Sequence, residues 1–399
     1  MKLAQLNTLG AGEATAHYGF ANKDNSAMRQ EAYERFKLLG LPKNKHEIFG
    51  STGVKKIYEV EYHRDENVSE YVIPKSDNHR IVFVEGWFNQ AQSSLPHGVS
   101  VEIESHPRLL HESKNPFYFL SYALNDAFYS VRIKEETQLQ KPLEIVYVNN
   151  KETAHTHMHV SLHVGANAKV DVYERLLVGS GSLFNHTLAL HVSEGAQISH
   201  VHEQKAHEKA HIISNYHYVQ GKDSKASIYS LEAGAALCVS VWDIFLRGDK
   251  AQMDFVALQL PKNEQHLSTI VALHHDAPNT HSSQLIKQVI NDSAKGVVDA
   301  KVVVSKHGVG TKSNQLCNSL ILSDKAQVQA FVKPQLEIFI DELEASHGAT
   351  VGSLNEEQLY YLMSRGIAYE RARELLIDAF THQAYERFPE YAKGGMGAT

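Results

Sequence analysis

The middle of the chain alternates apolar and polar residues in short runs, each entered through a turn and a small residue. Between about 140 and 345 the unit recurs as GANAKVDVYE from Gly165, EGAQISHVHE from Glu194 and DSKASIYSLE from Asp223. It returns as GDKAQMDFVA from Gly248 and SDKAQVQAFV from Ser323, with Asp292-Ser293-Ala294-Lys295-Gly296 partly filling the longest gap. Period-two alternation marks strands with one face turned inward. A step of roughly 25 to 32 residues falls in the solenoid range, where each coil buries its apolar face against its neighbours. A sandwich would not require so regular an alanine-turn unit. The expectation is a mainly β chain with a β-helix core.

Around that core the period changes. Met28, Ala32, Phe36 and Leu39 follow helical spacing over 26–39, with Gly40 and Pro42 as the stop. Ile81 to Val84 predicts a strand, and Asn115 to Phe128 an amphipathic helix carrying Phe119, Leu120, Tyr122, Ala123 and Ala127. After Pro334, Leu336, Ile338 and Ile340 alternate as a strand that leads into a small-residue turn at Ser346–Thr350. A helix is then predicted from Asn355, an N-cap residue, to Arg365, closed by Gly366. A second runs from Ala368 to Arg387 with Ala372, Leu375, Leu376, Ala379 and Phe380 on one stripe, and Pro389 ends it. The chain thus divides into a partly helical region (1–80), a connecting strand and helix region (81–139), the β-helix core (140–345) and a C-terminal helical domain (346–399). The last helices are expected to cap the solenoid's open end with their outer face free. Residues 1–25 and the tail KGGMGAT are expected to be loosely ordered.

Composition narrows the function classes. The 399 residues are 43% hydrophobic and 21% charged, with a net charge of −7 and no basic block. Nucleic acid and membrane partners are therefore not expected. No apolar run approaches the roughly 18 residues of a spanning helix. MKLAQLNTLGAGEATAH lacks the apolar stretch of a signal peptide, so a cytoplasmic location is expected. Two cysteines, Cys238 and Cys317, cannot build a disulfide framework or a four-thiolate cluster site. Both sit in apolar or alternating strand contexts, as buried free cysteines usually do. Walker-type, dinucleotide-binding and nucleophile-elbow motifs are all missing from the sequence.

Histidine is the unusual residue, with 25 copies. His155, His157 and His159 stand at period two, so a strand would project all three from one face about 7 Å apart. His200 and His202 repeat the arrangement. Such rings, with a third group, could hold zinc, but solvent-facing polar residues on a solenoid explain them more simply. A stand-alone metal-dependent β-solenoid enzyme is the alternative reading they leave open. His274, His275 and His281 in HHDAPNTH fit a structural turn. His347 lies between the predicted strand and helix, and its imidazole suits iron or zinc and proton relay.

These segments also carry a resemblance. The proline-led Leu336-Glu337-Ile338 strand, the acidic pair Asp341-Glu342, SHGATVG at Ser346–Gly352 and SRGI at Ser364–Ile367 resemble the SufB/SufD family of SUF iron–sulfur cluster assembly scaffolds. HGAT, where SufB chains have HEAST, is the SufD form. Gly40-Leu41-Pro42 with Glu47 and Leu124-Asn125-Asp126-Ala127 are similar to further family elements, although Phe49-Gly50-Ser51-Thr52 departs from the usual continuation. The resemblance implies a right-handed parallel β-helix and a scaffold that is not an enzyme by itself. It implies a heterodimer with SufB, a homodimer being possible in isolation. His347 would serve as ligand at the SufB interface, where an iron–sulfur cluster is assembled transiently and none is bound by the isolated chain. The SufC ATPase would dock on the C-terminal helices, which gives Leu359, Tyr360, Arg365, Leu375, Leu376 and Phe380 as candidate contacts. Ala345 stands where SufD chains often have cysteine. A methyl group offers a metal no lone pair, so any ligand role falls on His347.

Overall fold

A computed structural model of the chain describes residues 2–6, 8–9, 26–63, 71–105, 107 and 109–393. Their strands form two sheets. One contains β1 (His79–Val84), β2 (Trp87–Phe88), β5 (Leu143–Asn149), β7 (Lys169–Val178), β9 (Gln197–Gln204), β11 (Lys225–Glu232), β13 (Gln252–Gln259), β15 (His281–Ile290), β17 (Thr311–Ile321) and β19 (Leu343–Ser353). The other contains β3 (Val99–Ile103), β4 (Phe128–Ile133), β6 (His155–Val164), β8 (Leu183–Val192), β10 (His211–Gln220), β12 (Leu237–Leu246), β14 (His266–His275), β16 (Lys295–Val304) and β18 (Gln329–Ile338). From β4 onward successive strands alternate between the sheets and pair in parallel with the strand one coil away. The result is a parallel β-solenoid of about eight turns. Strands of both sheets lie outside 140–345: β1 and β4 precede it, and β19 runs to Ser353.

The coil step follows from turn chemistry. Two residues before β7, β9, β11, β13 and β15 stand Asn167, Gly195, Asp223, Lys250 and Asn279, all at positive φ between 54° and 66°. Glycine, asparagine and aspartate tolerate that left-handed conformation best. The next residue is small and buried: Ala168, Ala196, Ser224, Ala251 and Thr280. Ser224, rather than Ala226, is therefore the structural equivalent in the Asp223 unit. The repeats also form two series, not one. Those from Gly165, Glu194, Asp223 and Gly248 enter the first sheet, whereas those at Asp292 and Ser323 enter the second through β16 and β18.

Inward phases of the strands pack into one continuous core, from Ile81 and Val131 to Val298 and Ala300. Trp242 stacks on Tyr216 at 3.7 Å between ring centroids in its middle. On the outer face of the second sheet lie α2 (Ser26–Leu39) and α3 (Pro116–Leu124), with the short α1 (Leu3–Leu6) before them. The expectation of a loosely ordered start is corrected for Leu3 and Leu6, which are buried; residues 10–25 lie outside the described residues. All nine residues of α3 are buried, so it is not amphipathic. The Asn115 side chain accepts from the Phe117 and Tyr118 amides and donates to Asn215 Oδ1 at 2.7 Å. The helix stops at Leu124, and Phe128 already belongs to β4. Arg29 of α2 donates to the Asn125 carbonyl and lies over the Phe128 ring.

The C-terminal helices α4 (Glu356–Ser364), α5 (Tyr369–Tyr385) and α6 (Glu390–Lys393) do not cap the solenoid's end, contrary to the expectation. The outer face of the first sheet carries an apolar stripe of Tyr173, Val201, Leu231, Val256 and Leu285. Ala384, Phe388 and Ala392 cover it. Lys287 Nζ donates to the Phe380 carbonyl at 2.6 Å, and Arg387 pairs with Asp254. Burial of a stripe built from five strands outweighs any gain from sealing one coil. Among the described residues no helix is long and apolar enough to cross a membrane.

Candidate functional site

His347 is held in a strand. The turn expected at Ser346–Thr350 is instead the centre of β19, where His347 pairs in register with Gln315 of β17. Small residues in a run commonly signal a turn. Here β17 presents a full row of backbone donors and acceptors, and pairing with them outweighs the weak strand propensity of Gly348 and Ala349. β19 and β18 end their sheets, so their far edges have no strand partner among the described residues.

Alternation places Ala345, His347, Ala349 and Val351 on the inward face, in register with the buried Ser313, Gln315, Cys317 and Ser319. On β18, Val332, Pro334, Leu336 and Ile338 extend the columns of the buried Val298, Ala300, Val302 and Val304. This last layer would be core if another coil followed. Among the described residues none does, and Val351 is 52% and Ile338 44% exposed. His347 is exposed for the same reason.

Neither cysteine joins His347. Cys317 lies one strand below Ala349, fully buried, and burial pushes its thiol up to about 12. Burial raises Cys238 well above the usual thiol range as well. Both remain thiols at neutral pH.

The other histidines diverge. His157 and His159 face outward around the inward Met158, as the alternation requires. They are not solvated, because α3 covers them. His159 packs against the rings of Tyr118, Tyr122 and Phe128, and burial lowers its pKa to about 3. His200 and His202 do not repeat this arrangement, since they occupy the inward phase of β9. His275 bonds Thr280 Oγ1 at 2.7 Å and Ser282 Oγ at 2.9 Å across the β14–β15 turn, while His274 stacks outward on Phe245. Among the described residues no group of three or more His, Cys, Asp or Glu is arranged to hold a metal ion.

The inward His200 and His202 belong to a cluster that sequence reasoning missed. Glu174 Oε2 accepts from Tyr216 at 2.8 Å and lies 3.1 Å from His202 Nδ1 and 3.2 Å from His200 Nε2. Its Oε1 lies 3.3 Å from His186 Nε2. Burial disfavours the Glu174 charge, yet the three imidazoles hold its carboxyl well below the usual carboxylate range. The signal was present in VDVYERLLV, where Glu174 falls in the apolar phase of Val170, Val172 and Leu176.

On the C-terminal helices the candidate contacts separate. Asn355 accepts from the Gln358 amide at 2.9 Å and starts α4, none of whose residues is buried. Tyr360 is 74% exposed, Leu359 half-buried and Arg365 exposed over the Tyr361 ring. Tyr361, Met363 and Tyr369 add exposed apolar surface that the sequence reading did not single out. Leu375 and Leu376 are half-buried. Phe380 faces the solenoid, its ring 4.6 Å from Lys287 Nζ, and belongs to the anchor of α5.

Fold and end layer together define a parallel β-solenoid protein whose last coil is uncovered among the described residues and presents one histidine. The family described as SUF system FeS cluster assembly, SufBD core domain, matches residues 146–380, more than half of the sequence. The chain belongs to this family of iron–sulfur cluster assembly proteins. It is 25% identical to the iron–sulfur cluster assembly protein SufD of Escherichia coli over 381 residues, 90% of this chain and 88% of that one. A SufBD family protein of Synechocystis is 25% identical, with 90% and 87% covered. The assembly protein SufB of Bacillus subtilis is 23% identical, with 97% and 82% covered.

Proposed function

We propose that this chain is a SufD-like scaffold subunit. It pairs through its open last coil with a SufB-type partner in the cytoplasm and contributes His347 to a shared centre where an iron–sulfur cluster is built as cargo. The observation that carries this reading is the place of His347, an exposed imidazole on the unpaired last rung beside an uncovered apolar layer. An unpaired strand edge with apolar surface invites a second chain. One imidazole is a suitable ligand for iron and too few to hold a cluster alone. The partner brings the remaining ligands.

The exposed Leu359, Tyr360 and Arg365 region, with Tyr361, Met363 and Tyr369, is the surface on which a SufC-type ATPase docks. Exposed aromatic residues beside an arginine have the composition of interface anchors.

Two experiments separate these parts. In a reconstituted complex, His347→Ala is expected to abolish cluster maturation while SufB still co-purifies; unchanged maturation removes His347 from the mechanism. Deleting residues 353–399 is expected to lose SufC, and its retention refutes that docking surface. The strand-histidine enzyme reading gains no support from rings that point to opposite sides of their sheets.

A further inference from the structure

Segment 51–63 lies across the entry ends of β10, β12 and β14, on the outer face of the second sheet. At one end His266 Nε2 donates to the Ser51 carbonyl at 3.1 Å. At the other the buried Tyr62 hydroxyl stands 2.9 Å from His211 Nδ1. Gly53 lets the segment come so close, because its φ is 71° and a Cβ there would run into the His266 ring. The single helical turn Val54–Ile57 then buries Val54 and Ile57 and leaves Lys55 and Lys56 exposed. Beside Lys56 the packing leaves a cavity of about 440 Å³, lined also by Glu208, Lys209, His211, Asn263 and Glu264.

Charge gathers on this wall. His211, Leu237, His266 and Lys295 begin β10, β12, β14 and β16 and stand in one register column. Lys56 acts on that column. Burial first, and then the Lys56 charge, lowers His211 to about 4; burial with Lys56 and Lys295 lowers His266 to about 4. Lys56 is itself lowered by burial and by Lys295, against Glu264. Lysines on other turns meet carboxylates, as Lys222 meets Glu194 and Lys325 meets Asp292. Among the described residues Lys56, Lys209 and Lys295 form no ion pair, and neither do Glu208 and Glu264. Three ammonium groups against two carboxylates leave the wall positive, and a concave surface with such an excess draws anions. Tyr62 occupies Nδ1 of His211, so Nε2 is the ring nitrogen left for a ligand.

We infer that this cavity binds one oxyanion group, the phosphate or carboxylate of a small metabolite, with Lys56 and Lys209 as charge partners and His211 Nε2 as hydrogen-bond donor. A lysine meets such a group as a point charge, without the fixed fork of arginine, so either oxyanion fits. Lys295 adds to the positive field from the edge. Glu208 and Glu264 limit the ligand's charge, because a polyphosphate or a nucleic-acid backbone would lay further negative charge against them. The site is in the other sheet from His347, and it does not depend on the function proposed above.

The test uses the full chain in a low-salt buffer free of phosphate and carboxylate, since salt screens exposed charges. Calorimetric titration with inorganic phosphate is expected to show saturable binding at one site. Lys56→Gln and Lys209→Gln are each expected to weaken it about tenfold, as the loss of one charge-assisted bond requires. Lys312→Gln, on another turn and paired with Glu344, is expected to leave it unchanged. Both cavity lysines are exposed, so the variants are expected to keep their fold, which unfolding curves without phosphate check. Isotope-labelled histidine gives a second readout: phosphate is expected to shift the His211 Nε2 resonance and to leave His159 unmoved. Acetate is titrated in parallel, and the tighter of the two probes names the group. Absence of saturable binding by both, or equal weakening in all three variants, overturns the site. A His211 signal that stays put while phosphate binds removes that ring from it. Tripolyphosphate binding more tightly than phosphate overturns the limit set by Glu208 and Glu264.

Discussion

His347 stands directly above Gln315 in the inward register of the first sheet, so the exposed imidazole that ends the solenoid rests on a column of buried amides. The same phase that is core in every earlier coil becomes surface in the last one. A residue so placed has rigid backbone support and an accessible ring, which a loop histidine lacks.

Because the His347 side chain is exposed, His347→Ala is expected to change unfolding free energy by no more than about 0.5 kcal/mol. Urea denaturation of the isolated chain checks this. A larger loss would mean that any maturation defect reflects folding rather than chemistry.

Glu174→Ala is expected to destabilise the chain by about 1–3 kcal/mol or more, because it leaves the buried Tyr216 hydroxyl and three buried imidazoles without the carboxylate they face. The Glu174 carboxyl is lowered in the folded state. Its stabilisation is therefore present above the ordinary carboxylate pKa and lost as pH falls through the folded value. Denaturation curves at pH 7.5 and pH 4 are expected to differ less in the variant than in the wild type.

Burial lowers His159 to about 3, and His211 and His266 to about 4, from an ordinary 6.5. The unfolded chain takes up these protons first, so stability is full above about pH 6.5 and falls as pH drops toward 4. His159→Phe should fit the nest of Tyr118, Tyr122 and Phe128, and His159 Nδ1 has no hydrogen-bond partner to lose. The variant is expected to match the wild type at pH 7.5 and to recover about 2 kcal/mol of the loss at pH 5. Equal pH slopes in the two proteins would contradict the assignment.

Lys287 and Asp254 tie the C-terminal helices to the solenoid. Lys287→Ala with Asp254→Ala removes two charge-assisted bonds, worth about 1.5–3 kcal/mol each. Amide exchange over 380–393 is expected to accelerate at least tenfold while core strands keep their protection. Acceleration spread over the whole chain would show that the helices are not a separate opening unit.

What the sequence determined by itself was local. Period-two runs entered through Asn, Gly or Asp and a small residue specify a coil. Asn355 with Gly366, and Asn115 with Pro116, specify helix ends, because a cap acts within one turn. SHGATVG also marked His347 as the residue to examine. Tertiary structure decided whatever joins residues far apart in the chain. Whether a strand histidine meets solvent, a helix or the core depends on what is stacked over it. That is why His159 lies under α3 and His200 faces Glu174. The resting place of α5 depends on a stripe drawn from five strands, and no single strand displays it. Ser346–Thr350 became a strand because β17 offered backbone partners, and hydrogen bonding across coils outweighs the weak preference of small residues for a turn.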